Sequence, residues 1–175
     1  QAPLTKLGCF STTHATLFPA IGALDKVSLV TTDKDKWHIE QVAQQIEDGT
    51  TTYVGKNSAP DYELISAAAP QIILISANTM HGSDEVLAKL DELGIPYIAD
   101  SQHLENHPLG RVEWVKLVGA LLDMEEEADA YFDEEVQRVN AVAESVAGES
   151  EHPTILQTYI FKGTVYVRNG GDYVN

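Results

Sequence analysis

The stretch APDYELISAAAPQIILIS, residues 59–76, decides how the chain is read. Pro60 and Asp61 open a short helix, Pro70 ends it, and Ile72 to Ile75 then runs without a polar residue. A continuous apolar run of this kind suits a strand buried on both faces, as strands of parallel sheets are. The next stretch, GSDEVLAKLDELGIPYIAD at 82–100, repeats the plan. Ser83 caps a helix, Val86, Leu87, Leu90 and Leu93 form its buried face, Gly94 stops it, and Pro96 to Ala99 reads as another strand. Strand, helix and strand joined by short links predict right-handed crossovers in an α/β layer.

Towards the amino terminus the same alternation continues. Lys6–Phe10 and Val27–Thr31 read as strands. Between them Leu17, Ile21 and Leu24 are spaced as a helix face, with Thr12 or Thr13 as cap, Pro19 as a kink or restart, and Gly22 as a stop. Trp37, Ile39, Val42, Ala43 and Ile46 form a second helical stripe ending near Gly49. Towards the carboxyl terminus, DSQHLENHPLG at 100–110 reads as a polar loop, and Arg111–Leu122 as a helix. Asp123 with Glu126 three residues on has the form of a capping box. It predicts a helix of roughly 24 residues to about Ala147, some 35 Å long. Its apolar stripe, Ala128, Tyr131 or Phe132, Val139, Val142 and Val146, is narrow, so this helix lies across something rather than inside it. The ending, YIFKGTVYVRNGGDYVN at 159–175, alternates about a Lys162-Gly163 turn and opens a new β unit. The expected division is an α/β lobe over 1–122, a connecting helix over 123–150, and the beginning of a second lobe over 151–175.

The formal net charge of −16 argues against nucleic acid, because phosphate binding requires a basic surface. Residues 123–151 hold eleven Asp and Glu against one Arg, which reads as a solvated helix face. No apolar run approaches the ~20 residues that span a bilayer. No signal peptide is read at the start, and Gln1-Ala2-Pro3 looks like a tail. The single cysteine, Cys9, rules out an internal disulfide and a multi-cysteine zinc site, and reads as a buried strand residue.

Ligands of open α/β sheets sit outside the carboxyl ends of the strands. Four loops qualify: Ser11-Thr12-Thr13-His14, Lys56-Asn57-Ser58, Asn78-Thr79-Met80-His81, and Ser101-Gln102-His103 continuing to His107. Tyr159, Phe161 and Tyr173 offer an aromatic wall from the second lobe. His14, His81, and His103 with His107 lie on three loops that could converge on a bare metal ion, although no long His-rich loop accompanies them. There is no nucleophile elbow, no phosphate-cradling glycine loop and no H-E-x-x-H, so no enzyme is expected. A chelatase-like α/β enzyme using His14 or His81 stays as an alternative.

Four segments together carry a resemblance: STTHATLFPAIGALDKV (11–27), VGKNSAPDYELISAAAPQIILIS (54–76), LDELGIPYI (90–98) and HPLGRVEWVKLVGALLDMEEEADAYFDE (107–134). In order and spacing the chain resembles the helical-backbone substrate-binding proteins of ABC importers, the receptors for ferric siderophores, haem and cobalamin. The resemblance implies two α/β lobes joined by one spine helix, with the ligand in the cleft between them. It also implies that this chain is lobe one, the spine and the first strands of a longer second lobe. The implied ligand is an iron chelate or tetrapyrrole, with no resident cofactor. The implied ligand-binding residues are Thr12, Thr13, His14, Lys56, Asn57, Asn78, Thr79, His81, His103, Tyr159 and Phe161. Asp84 matches a carboxylate that docks on the membrane permease, and Glu85 is its neighbour. The implied location is extracytoplasmic. The related zinc and manganese receptors are the alternative, and the exposed strands at 154–175 are expected either to pair with another copy of the chain or to lie against lobe one.

Overall fold

The computed structural model describes residues 3–77, 83–151 and 153–168. In chain order the first elements are β1 (Leu7–Cys9), α1 (Thr12–Ala15), α2 (Leu17–Ala20), β2 (Val27–Val30), α3 (Glu40–Asp48), β3 (Thr52–Tyr53), β4 (Gly55–Lys56), β5 (Ala59–Pro60) and α4 (Tyr62–Ala68). After these come β6 (Ile72–Ser76), α5 (Ser83–Leu93), β7 (Tyr97–Asp100), α6 (Pro108–Glu113), α7 (Val115–Leu122), α8 (Glu125–Val146), β8 (Thr158–Phe161) and β9 (Thr164–Val167). Five strands form one parallel sheet in the order β3-β2-β1-β6-β7. This is the parallel, helix-flanked sheet that the apolar runs predict.

The apolar pattern is divided between the two faces of the sheet. Leu7, Cys9, Val30 and Leu74 pack with Phe18, Val115, Val118 and Ala128 on one side. Phe10, Leu29, Ile73 and Ile75 pack with Ile65, Val86 and Leu90 on the other. Gly8 sits in the central strand where a Cβ would lie 2.7 Å from Leu29 Cδ1, so this place in the sheet is closed to any larger side chain. Cys9 is buried, and burial pushes its thiol far above the ordinary range.

Local chemistry sets the helix ends. Ser11 caps α1 by accepting from Thr13 N, one residue before the expected cap. The helix expected after it is split at Thr16 and restarts as α2, because Pro19 has no N–H for the carbonyl of Ala15. Asp61 caps α4, its carboxylate accepting from Glu63 N and Leu64 N at 2.9 and 3.1 Å. The polar loop expected at 100–110 is more ordered than anticipated. Gln102–Leu104 is a 3₁₀ turn, and α6 begins at Pro108 with His107 as its cap.

The capping box at Asp123 is corrected. Asp123 ends α7 in the left-handed conformation (φ 60°), Met124 N bonds Gly119 O at 2.9 Å, and α8 starts at Glu125 with Met124 as an uncapped N-cap. The two helices turn back on each other within two residues, and a left-handed residue makes that reversal. The reversal lays α8 on α7 so closely that a Cβ on Gly119 would meet Ala128 Cβ at 2.6 Å and Met124 O at 2.9 Å.

The 22 residues of α8 make a rod about 33 Å long. Only its first half is seated. Ala128 is fully buried and Tyr131 and Phe132 are half-buried. Lys116 reaches across to Asp129 at 3.0 Å and lies 4.4 Å over the Phe132 ring. The rest of the expected stripe, Val139, Val142 and Val146, is exposed. Beyond it β8 and β9 form an antiparallel hairpin turned by Lys162 and Gly163, both at positive φ, as a tight two-residue hairpin turn requires. Tyr159 stacks on Tyr166 with centroids 5.0 Å apart, and every residue of both strands is exposed.

Replacing Gly119 with Ala is expected to cost about 1–3 kcal/mol by forcing α8 off α7. Gly148→Ala, with nothing within 4 Å of the new Cβ, is expected to be neutral in the same denaturant titration. Equal effects would mean that the α7–α8 approach is not stabilising. Removing 154–168 is expected to shift the thermal midpoint by no more than about 3 °C, under the effect of 1 kcal/mol in a domain of this size. We expect the same deletion to abolish any concentration-dependent association seen by light scattering. Association that survives the deletion would exclude the hairpin as its cause.

Candidate functional site

The order β3-β2-β1-β6-β7 runs outward in both directions from β1 and β6. The chain leaves β1 towards one edge and leaves β6 towards the other, so a crevice opens at their carboxyl ends, where such sheets bind ligands. The segments that follow β1 and β7, with Ser76 and Ala77 at the end of β6, therefore frame the candidate site.

His14, read from the sequence as a residue reaching out of the first loop, is 1% exposed. Its Nε2 is bonded to Asp100 Oδ2, and Asp100, the last residue of β7, is 3% exposed. This corrects the expectation that His14 stands open to a ligand. The imidazole faces inward because β7 ends in a carboxylate that a buried site must pair. Asp100 also accepts from Gln102 N at 3.2 Å. Burial pushes its carboxyl up. The hydrogen bond and charge of His14, with smaller help from Gln102, outweigh that and hold it below the usual aspartate value. The same turn is tied to β6, where Ser76 Oγ lies 3.5 Å from His103 Nδ1. It is tied to α6 as well, Arg111 Nη2 donating to His103 O at 2.9 Å. The ends of three strands are thus cross-braced by side chains.

The other expected residues fall in three groups. Thr12 and Thr13 are exposed on α1, beside the β1 end. Lys56 and Asn57 are exposed in the small β4–β5 hairpin that follows β3. His103 is half-buried at the β7 end. Tyr159 and Phe161 lie exposed on the hairpin of β8 and β9. Asp84 and Glu85 stand exposed in the first turn of α5. Asn78, Thr79, Met80, His81 and Tyr173 lie outside the described residues. His107 accepts from Leu109 N at 3.1 Å as a helix cap. Among the described residues no three His, Cys, Asp or Glu side chains converge as a metal site. Sequence reasoning missed Asp100, Ser76 and Arg111. The first two are the polar residues that close apolar strands, which is the signal that could have found them.

The family model described as periplasmic binding protein matches residues 9–175. An uncharacterized lipoprotein of Methanocaldococcus jannaschii is 35% identical over 140 residues, covering 76% of this chain and 33% of its own length. The petrobactin-binding protein YclQ of Bacillus subtilis superimposes with a TM-score of 0.73 at 14% identity, over 97% of this chain and 56% of its own. The IsdE protein of S. aureus, solved complexed with heme, gives 0.68 at 13% identity, over 97% and 60%. The chain therefore spans a third to three-fifths of the length of these proteins. At such identities the two structures share a fold with it.

Asp100→Asn is expected to destabilise the lobe by about 3–5 kcal/mol, since it leaves His14 buried without its carboxylate. Because the Asp100 carboxyl is held below its unfolded value, its contribution is complete above pH ~4 and is lost as pH falls through the lowered folded value. Denaturant titrations between pH 3 and 7 check this: the gap between Asp100→Asn and the parent should narrow at the acid end. A gap that is constant with pH would exclude ionised Asp100 as its source.

Proposed function

We propose, on the premise that this chain belongs to the periplasmic binding protein family, that it serves as a substrate-binding receptor for an ABC importer. The family is one of binding proteins and not of enzymes. The observation that carries the reading is the family match over residues 9–175, which includes all five strands of the sheet except the first two residues of β1. The ligand in this reading is a ferric siderophore, haem or cobalamin, held between this lobe and a second one that β8 and β9 begin. Support comes from the petrobactin-binding and heme-complexed proteins that share the fold. Further support comes from the hydroxyls of Thr12 and Thr13 beside the β1 end, and Lys56 and Asn57 of the hairpin after β3 belong to the proposed set as well. Asn78, Thr79, His81, His103, Tyr159 and Phe161 belong to the same proposed set.

In this reading His14 is a positioning residue. Paired to Asp100, it fixes the loop that carries Thr12 and Thr13, and so sets the cleft floor without touching the ligand. Asp84 and Glu85 are the docking carboxylates for a membrane permease: they are exposed and stand where the helix dipole favours negative charge. The location is extracytoplasmic, in keeping with the family and with a relative described as a lipoprotein. No helix among the described residues is long and apolar enough to cross a membrane.

The test is to titrate the chain, and the full product of its gene, with haem, cobalamin and several ferric siderophores, following quenching of Trp37 and Trp114. One of these ligands is expected to bind saturably to the full product. Tight binding of a sugar or peptide, with none of the chelates recognised, would overturn the reading. Substituting Ala at both Asp84 and Glu85 is expected to leave ligand affinity unchanged and lower uptake in cells. A fall in affinity would assign these residues to the cleft instead.

A further inference from the structure

The amino ends of β1, β6 and β7 lie at the opposite end of the sheet from the strand-end loops. There a cavity of about 400 Å³ opens between the segment entering β1, the residues entering β6 and β7, and the end of α7. Leu4, Ile72, Pro96 and Leu121 are apolar walls, and Gln71 and Asp123 are polar ones. We propose that this cavity binds a small organic cation, a protonated amine carried on one apolar ring.

Three observations meet here. The first is that the walls are preformed. Leu4 N donates to Leu121 O at 3.0 Å, which ties the segment before β1 to the end of α7. The side-chain oxygen of Gln71 accepts from Thr5 N at 2.6 Å and from Lys6 N at 3.0 Å, which ties the same segment to the start of β6. These bonds hold the walls in place before any ligand arrives, so little ordering is left to be done on binding. The second is charge. Asp123 is the one charged residue among the described walls, and no described residue bonds its carboxylate. Its backbone makes the left-handed turn between α7 and α8, and its side chain is left for a partner. Glu125, Glu126 and Glu127 follow in the first turn of α8, in a chain of net charge −16, so the local field favours a cation over an anion. An ammonium placed against Asp123 makes a charge-assisted hydrogen bond. The third is shape. The volume equals the share of about thirteen waters, within the range of small-molecule sites and enough for a six-membered ring and its ammonium. A bare divalent cation, which takes many oxygen ligands, would find a single carboxylate and mostly hydrocarbon among these walls.

The site lies apart from the proposed cleft and does not depend on which ligand the strand-end loops take. An amine here contacts the entry to β1 and the α7–α8 reversal together, so its occupancy ties the seat of the spine helix to the sheet.

Benzylamine is the probe. The 175-residue chain, labelled with ¹⁵N, is titrated at neutral pH with benzylamine and, separately, with benzyl alcohol, which has nearly the same shape and no charge. Saturable amide shifts are expected for benzylamine at Leu4, Gln71, Ile72, Leu121 and Asp123. Because Asp123 is exposed, solvent screens the pair in part, and benzyl alcohol is expected to bind about fivefold more weakly. Asp123→Asn keeps a residue that tolerates the left-handed backbone. It is expected to weaken benzylamine about fivefold and to leave benzyl alcohol and the far-UV circular dichroism unchanged. Absence of saturable benzylamine shifts, equal affinity for the two probes, shifts confined to other parts of the lobe, or undiminished affinity in a folded Asp123→Asn chain would overturn the proposal. The comparison of the two probes on the unaltered chain stands even where the variant fails to fold.

Discussion

The placement of the long helix hangs on the approach of α8 to α7 at Gly119 and Ala128. With no side chain on one and a methyl on the other, the helices touch backbone to backbone, and the left-handed Asp123 lets the chain reverse in two residues. That contact fixes where α8 starts and which way it points. Lys116, reaching to Asp129 and lying over Phe132, secures the same seat from the side. Past Val136 the rod continues with its remaining valines, Val139, Val142 and Val146, exposed. Its direction is therefore inherited wholly from the first half, as a beam takes its angle from its footing. Helix–helix packing of this density moves as a unit or not at all, because interdigitated side chains have few intermediate positions.

The central strands and the long helices were legible because burial on both faces leaves an unbroken apolar run, and Pro and Gly punctuate it. Ile72–Ile75, Pro70 and Gly94 carry that signal without help from tertiary structure. What failed was local chemistry with two readings. An aspartate three residues before a glutamate describes a helix start, but Asp123 serves the end of the preceding helix, because tertiary packing of α8 on α7 demanded a left-handed residue there. The two-residue β3, β4 and β5 left no periodicity to detect. At the candidate site, residue types and loop positions could be read, but not facing direction. His14 and Asp100 are distant in sequence and meet only because β1 and β7 flank β6 in the same parallel sheet.

The charge pattern and the bracing belong to separate regions. The acidic surplus lies on α8 and its surroundings, mostly exposed, and is locally neutralised where Arg138 meets Glu134 and Glu135 and where Lys116 meets Asp129. Such surface pairs add little stability. The polar interactions that matter for shape are the few at the strand ends, His14 with Asp100, Ser76 with His103, and Arg111 with the His103 carbonyl. They are short-range, shielded and mutually dependent, so removing one loosens its neighbours.

Cys9 lies in the middle strand of the sheet, between β2 and β6, with its thiol sealed from water and its proton held firmly. Because the chain has no other cysteine, this buried sulfur is a built-in clock. An alkylating reagent can reach it only when the sheet itself parts. The rate of modification at fixed pH therefore counts the openings of the lobe's centre, while fraying of the hairpin or of the far end of α8 goes unrecorded.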